Sequence, residues 1–180
     1  TPYQPEVAQG ILQATFEYQT MMSELTGLPV SNASMYDGAS AVAEAALLAV
    51  RQTGREQVVV SRGVHPETRE VLETYLSPLG IELKTRDLDQ LTTPVPPAAE
   101  LADAACVIAQ QPNYLGYLEP MRDLSEAAHD AGALFVAAVD TLSLGVLGAP
   151  GDYGADVAVG EGQTMGNPVN FGGPGFGFMV

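Results

Sequence analysis

The amino-acid sequence predicts an α/β domain with a mostly parallel sheet flanked by helices. Short apolar segments recur along the chain, and several are continuous runs, as in strands that are buried on both faces. Segments with helical periodicity lie between them, and this alternation favours parallel strands covered by helices. The chain has 180 residues, so we expect residues 1–180 to form a single α/β domain.

The predicted strands are five short segments: Val58–Ser61, Ile81–Lys84, Cys106–Ala109, Leu134–Ala137 and Val157–Val159. Four helices are predicted around them, starting with one that ends at Gly27 and continuing with residues 38–51, 66–79 and 121–130. One face of the first of these helices carries Ile11, Thr15, Tyr18, Met22 and Leu25. The chain ends in an apolar, strand-like run at 175–180, so we expect a piece of a longer protein or a unit that needs neighbours.

Composition excludes several classes of function. There are 22 acidic against 7 basic side chains and a formal net charge of −15, so binding in a nucleic-acid groove is not expected. No apolar run approaches the length of a membrane-spanning helix, so no membrane partner is expected. Cys106 is the single cysteine, which excludes a disulfide framework. One cysteine and two histidines that are far apart in the sequence do not form a metal site.

Polar residues concentrate where four predicted strands end. These positions are residues 61–65, 110–113, 140 and 160–163. Because ligands of such sheets bind at the carboxyl ends of the strands, the four loops predict one site.

Three positions in or near this site each have two interpretations. Residues 37–40 precede an Ala-rich helix, so Gly38, Ala39 and Ser40 either offer N–H groups to an anion or form a helix cap. Asp140 either holds a proton on a ligand nitrogen or caps the turn at 141–143. His65 either stacks on a planar ligand or caps the helix that starts at Pro66.

Two phosphate-binding motifs are excluded. The only lysine, Lys84, lacks the glycine that precedes the P-loop lysine, and the glycines of 160–166 have the wrong spacing for a dinucleotide fingerprint.

Several long motifs resemble the glycine cleavage system P-protein family (glycine dehydrogenase, decarboxylating), and in particular subunit 1 of its two-subunit form. They are residues 1–10, 18–21, 32–39, 111–113 and 160–174. The resemblance covers essentially the whole chain and corresponds to the large domain of that subunit. It implies the fold-type I architecture of pyridoxal-phosphate-dependent transferases and a cytoplasmic location.

The resemblance also implies roles for individual residues. Gly38, Ala39 and Ser40 match the phosphate-binding turn, His65 matches the residue that stacks on the cofactor ring, and Asp140 matches the partner of the pyridine nitrogen. Gln163 stands where the partner subunit has its Schiff-base lysine. A carboxamide cannot replace a nucleophilic amine, so no covalent cofactor and no catalytic residue are expected in this chain.

The implied complex is a heterotetramer with glycine dehydrogenase subunit 2, which carries pyridoxal phosphate. It would release CO2 from glycine and pass the aminomethyl group to the lipoyl arm of the H-protein. A Gly-rich loop with Asn167, Phe171, Gly172 and Gly173 is expected to face subunit 2, or else to be a tight turn that only packs. The alternatives are an independent pyridoxal-phosphate enzyme, a nucleotide-binding α/β module, and a scaffold with a collapsed pocket.

Overall fold

The computed structural model describes residues 4–169, 171 and 175–180, and it has one six-stranded sheet between two layers of helices. The strands are β1 Gln57–Ser61, β2 Glu82–Arg86, β3 Ala104–Gln111, β4 Leu134–Val139, β5 Val157–Glu161 and β6 Gly177–Met179. Their order is β2-β1-β3-β4-β5-β6, and β6 alone is antiparallel to its neighbour in this sheet. The predicted α/β class is confirmed.

Four α-helices cover the sheet. They are α1 Gln9–Thr26, α2 Gly38–Thr53, α3 Pro66–Leu76 and α4 Met121–Asp130. Helices α2 and α3 pack on one face of the sheet, whereas α4 and part of α1 pack on the other. Successive residues of β3, such as Val107 and Ile108, therefore enter different cores, which explains the continuous apolar runs.

Helix α2 lies deepest among these helices. Alanines at positions 41, 43, 45, 46 and 49 are fully buried, and their small side chains allow the helix to approach the sheet closely. The helix ends at Gly54, which adopts a left-handed conformation with φ 69°.

Helix α1 ends at Gly27 as predicted, but the face that carries the five named residues is buried unevenly. Of these residues, Met22 is buried, Thr15, Tyr18 and Leu25 are partly buried and Ile11 is 59% exposed. Among the described residues, Met22 belongs to a core cluster and Tyr18 packs against it, whereas none from the first two turns of the helix does either.

The C-terminal apolar run is not an open edge over its whole length. Strand β6 pairs with β5 on one side, and on the other side Met35 forms a bridge with Gly177 while the Asn32 N–H donates to the Met179 carbonyl. Phe178 is completely buried. The segment at 32–35 therefore protects part of the edge that the sequence predicted to be exposed.

Candidate functional site

A cavity of about 400 Å³ opens at the carboxyl ends of the parallel strands. Each of the four loops predicted from the sequence contributes to its wall, through His65, Gln110, Asp140 and Glu161. Helices α2 and α3 complete the wall with Asp37, Gly38, Ala39, Val42, Glu67 and Thr68. The loops thus meet at one site, as expected for a sheet of this topology.

The start of α2 is a fully formed helix cap. The Asp37 carboxylate accepts a hydrogen bond of 2.7 Å from the Ser40 N–H, and the Asp37 N–H donates to the Ser40 hydroxyl at 3.2 Å. Ser40 is therefore turned into the cap and is not among the residues that line the cavity. The capping interpretation of this turn is realised in the structure.

Gly38 holds α2 against the end of β5. A Cβ atom at this position would lie 2.9 Å from the backbone nitrogen of Glu161, which is closer than real Cβ contacts. The glycine is therefore required by the approach of two backbone segments, as well as lining the cavity.

Glu161 lies in the predicted loop at 160–163, but sequence reasoning gave it no role of its own. Its carboxylate accepts hydrogen bonds from the Gly38 N–H at 3.0 Å, the Gln163 N–H at 3.2 Å and the Phe176 N–H at 2.9 Å. An acidic residue at the end of a buried strand was available as a signal, since the same pattern identified Asp140.

His65 both caps α3 and lines the cavity. Its Nδ1 accepts a hydrogen bond from the Glu67 N–H at 3.2 Å, and the edge of its ring packs on Tyr114 at 4.7 Å between ring centres. The Gln110 side chain accepts a hydrogen bond from the His65 N–H at 2.9 Å, which fixes the backbone of the loop. The ring is thus held by contacts within the chain.

A buried polar cluster packs against the loop that carries Gly63 and His65. Glu119 is 6% exposed and accepts hydrogen bonds from the Thr93 N–H at 2.7 Å and the Asn113 side chain at 2.8 Å. Gly63 passes directly over it, because a Cβ atom there would lie 2.9 Å from the Glu119 carboxylate. Asn113, which belongs to a predicted site loop, is buried in this cluster and does not line the cavity.

Asp140 is exposed, forms the predicted cap and also lines the cavity, while its contact with a ligand nitrogen stays a prediction. Its Oδ1 accepts a hydrogen bond from the Leu142 N–H at 3.1 Å, so it caps the short 3-10 helix at Thr141–Gly145. The same residue lines the cavity beside Val139. It is one of four carboxylates in the wall, together with Asp37, Glu67 and Glu161.

Gln163, at the position of the Schiff-base lysine, and Lys84, the only lysine of the chain, lie in different parts of the structure. Gln163 is half-buried, its N–H donates to Glu161, and its neighbour Thr164 lines the cavity. Lys84 lies on β2, which β1 and β3 separate from β4, and it lines a separate cavity of about 190 Å³ with Arg86 and Glu100. None of the described residues that line the larger cavity is a lysine or an arginine.

The predicted interface loop is only partly described. The Asn167 N–H donates to the Gln163 carbonyl at 2.9 Å, and Phe171 is fully exposed with φ 47°. Gly172 and Gly173 lie outside the described residues. Their expected contact with a partner remains a prediction.

Two further absences concern the described part of the chain. No group of histidine, cysteine, aspartate and glutamate side chains there is arranged to hold a metal ion. No helix there is long and apolar enough to cross a membrane.

The fold is that of fold-type I pyridoxal-phosphate enzymes. A sphingosine-1-phosphate lyase of Burkholderia pseudomallei has a similar fold, with a TM-score of 0.71 over 99% of this chain and 46% of the other, at 14% identity. The family model of the glycine cleavage system P-protein matches residues 1–180. The chain belongs to this family.

Individual relatives agree with this assignment. A crystal structure of glycine decarboxylase (P-protein) of the glycine cleavage system, in inhibitor-bound form, superposes with a TM-score of 0.94 at 59% identity. It covers all of this chain and 41% of the other. Proteins of Coprothermobacter proteolyticus and Moorella thermoacetica, both named "Probable glycine dehydrogenase (decarboxylating) subunit 1", are each 54% identical over the whole chain. The chain spans about 41% of the length of these two relatives.

The residues around the cavity do not fit the phosphate of pyridoxal phosphate. An anion would bind at the start of α2, but the Gly38 N–H at this position already donates to Glu161. The wall has four carboxylates and, among its described residues, no lysine or arginine to offset the charge of a phosphate.

Proposed function

We propose that this chain is the large-domain portion of subunit 1 of a heteromeric glycine decarboxylase and that it holds no cofactor of its own. Subunit 2 would supply pyridoxal phosphate and its lysine. The complex, a cytoplasmic heterotetramer, would take up glycine, release CO2 and transfer the aminomethyl group to the lipoyl arm of the H-protein. The names of the two subunit 1 relatives support the activity and the existence of a partner.

One observation supports the proposal that subunit 2, and not this chain, supplies the reactive lysine. The cavity has a strand-end aspartate and a helix N-terminus, yet the chain's only lysine lies on β2, at the far side of β1 and β3. Covalent attachment of pyridoxal phosphate requires an amine that can attack its aldehyde carbon. The Gln163 side chain provides none, so the reactive amine would come from subunit 2.

The open cavity counts against a scaffold whose pocket has collapsed. About 400 Å³ remain beside Asp140, which is within the range of small-molecule sites. We infer that the cavity retains the shape of the fold while it has lost the chemistry of the cofactor.

The exposed loop supports contact with subunit 2. Val169 and Phe171 are 80% and 112% exposed, and both follow β5 in the chain a few residues after Thr164, which lines the cavity. Aromatic side chains such as that of Phe171 are enriched at protein interfaces relative to the rest of the surface. We propose that this loop helps to wall the active site of subunit 2.

Exchange of bicarbonate carbon into glycine tests the proposal. The full-length protein that contains this chain should show no exchange alone, and exchange should appear when subunit 2 and H-protein are added. Subunit 2 with H-protein alone is the control for activity without subunit 1. Exchange by the full-length protein without subunit 2 would refute the proposed division of labour.

A further inference from the structure

Glu161 occupies the position at the start of α2 that an external anion would take. The N-terminus of a helix attracts anions because its first N–H groups have no partner within the helix and carry partial positive charge. In this chain the first of these groups, the Gly38 N–H, donates to the Glu161 carboxylate, which comes from a position 123 residues further along the chain.

The same carboxylate also joins the loop after β5 to the strand that follows. Its oxygens accept hydrogen bonds from Gln163 and Phe176 as well as from Gly38. Gly175 leaves room for this arrangement, since a Cβ atom there would lie 3.3 Å from Glu161 Oε1. Hydrogen bonds to a charged acceptor are stronger than neutral ones, so the carboxylate is held firmly in place.

Three further carboxylates near Glu161 would also repel an incoming anion. Asp37 is engaged in the helix cap on the other side of Gly38, and Glu67 and Asp140 line the same wall. An incoming phosphate would have to displace Glu161 and enter beside three further carboxylates.

We propose that Glu161 is a built-in anion that closes the phosphate position of this chain and thereby excludes pyridoxal phosphate independently of the missing lysine. The inference rests on the proposed function for the identity of the cofactor. It adds that the chain would reject the non-covalent cofactor too, so that pyridoxal phosphate binds only in the partner. A lysine at position 163 would by itself not restore a cofactor site.

Hydrogen exchange of the full-length protein, measured by mass spectrometry on a peptide covering residues 38–41, tests this directly. The probes are inorganic phosphate and pyridoxal phosphate, added separately. In the unaltered protein neither probe should slow exchange in this peptide. In Glu161→Ala the freed N–H groups should accept the probe, and exchange should become about tenfold slower once the probe is at about ten times its dissociation constant.

Glu67→Gln is the matched control, because it removes one charge from the same wall without freeing the Gly38 N–H. It should change the response to either probe by less than about twofold, which is the limit for a modest effect of one exposed charge. An equal gain of binding in Glu67→Gln and Glu161→Ala would overturn the proposal, since charge alone would then explain the exclusion.

Two other results would also overturn it. One is protection of residues 38–41 by either probe in the unaltered protein, a measurement that does not depend on whether Glu161→Ala folds. The other is a folded Glu161→Ala protein that binds neither probe. The proposed function could fail separately, through glycine exchange by this subunit alone, without any change in these results.

Discussion

Strands β4 and β5 both border the cavity and both end at or directly before an acidic residue, but the two acidic side chains make different contacts. Strand β4 ends before Asp140, which is exposed and accepts a hydrogen bond from Leu142, two residues away. Strand β5 ends in Glu161, which accepts hydrogen bonds from Gly38 and Phe176, 123 and 15 residues away. A local cap and a link between distant segments thus arise from one sequence pattern, and only the second organises the site.

The packing beneath Glu161 should be the most sensitive part of this arrangement. A methyl group at Gly160 would overlap the Val139 carbonyl oxygen and lie 2.8 Å from the Phe178 ring. We expect Gly160→Ala to lower the free energy of unfolding of the full-length protein by about 3 kcal/mol or to prevent its accumulation. Chemical denaturation measures this loss.

Gly148→Ala is the control for Gly160→Ala. Nothing lies within 4 Å of a Cβ atom built at Gly148, and its φ is not in the left-handed region. Its effect should stay within about 0.5 kcal/mol. Equal effects of the two substitutions would contradict the tight packing inferred at the end of β5.

Replacing Glu161 and Asp140 separately tests whether these two strand-end residues differ in their contribution to stability. Glu161→Ala leaves the N–H groups of Gly38, Gln163 and Phe176 without this acceptor, so the free energy of unfolding should fall by about 2 kcal/mol. Asp140→Ala removes an exposed cap of a short helix and should cost about 0.5 kcal/mol. Denaturation midpoints of both variants check the difference, and a larger loss for Asp140→Ala would reverse our assignment.

The free energy of unfolding should decrease at alkaline pH because of two buried groups. Burial raises the pKa of the Cys106 thiol from 9.0 to about 12 and that of the Tyr18 hydroxyl from 10.0 to about 12. The folded protein keeps these protons while the unfolded chain releases them, so stability is fully present below about pH 9 and falls as pH rises toward 12.

The expected slope is about 1.4 kcal/mol per pH unit for a group fully titrated in the unfolded chain only. Denaturation midpoints between pH 8 and pH 11 measure it, within the range of the shift on Cys106. Cys106→Ala should give a shallower slope than the unaltered protein. An unchanged slope would show that the thiol does not contribute.

The smallest effect on stability is expected in the exposed loop. Phe171→Ala removes a fully exposed ring, so the free energy of unfolding should change by less than about 0.5 kcal/mol. The affinity for subunit 2 should nevertheless fall by about tenfold if the ring is an interface anchor. Titration of the two full-length subunits measures this affinity.

Leu79→Ala serves as the matched control for Phe171→Ala. Leu79 is also exposed, at 62%, but it lies before the amino end of β2, whereas the cavity opens at the carboxyl ends of the parallel strands. Its replacement should leave the affinity for subunit 2 unchanged. Equal losses for both variants would mean that exposure alone, and not position near the cavity, determines the effect.

Local and periodic features were predictable from the sequence. The alternation of strands and helices, the glycine that ends α1 and the four loops around the cavity all follow from patterns within short windows. The bounds of α2 extend two residues beyond the prediction, and β2 is shifted to Glu82–Arg86 because its residues are only partly buried and carry little apolar signal.

Contacts between distant segments were not predictable in this way. The link from Glu161 to Gly38 depends on how β5 and α2 meet in space, which no local pattern encodes. Five residues of α1 were predicted to share one face, and their burial in the structure ranges from Met22, which is buried, to Ile11, which is 59% exposed. Periodicity indicates which residues share a helix face, but not how deeply each of them is buried.

The central claim is that pyridoxal phosphate is linked to subunit 2 and not to this chain. The most direct measurement is borohydride reduction of the assembled complex, followed by mass spectrometry of its peptides to locate pyridoxyl-lysine. We predict that all of the label lies on subunit 2, and that peptides containing Lys84 are unmodified. A stoichiometric pyridoxyl label on Lys84, or on any other lysine of the subunit that contains this chain, would contradict the account.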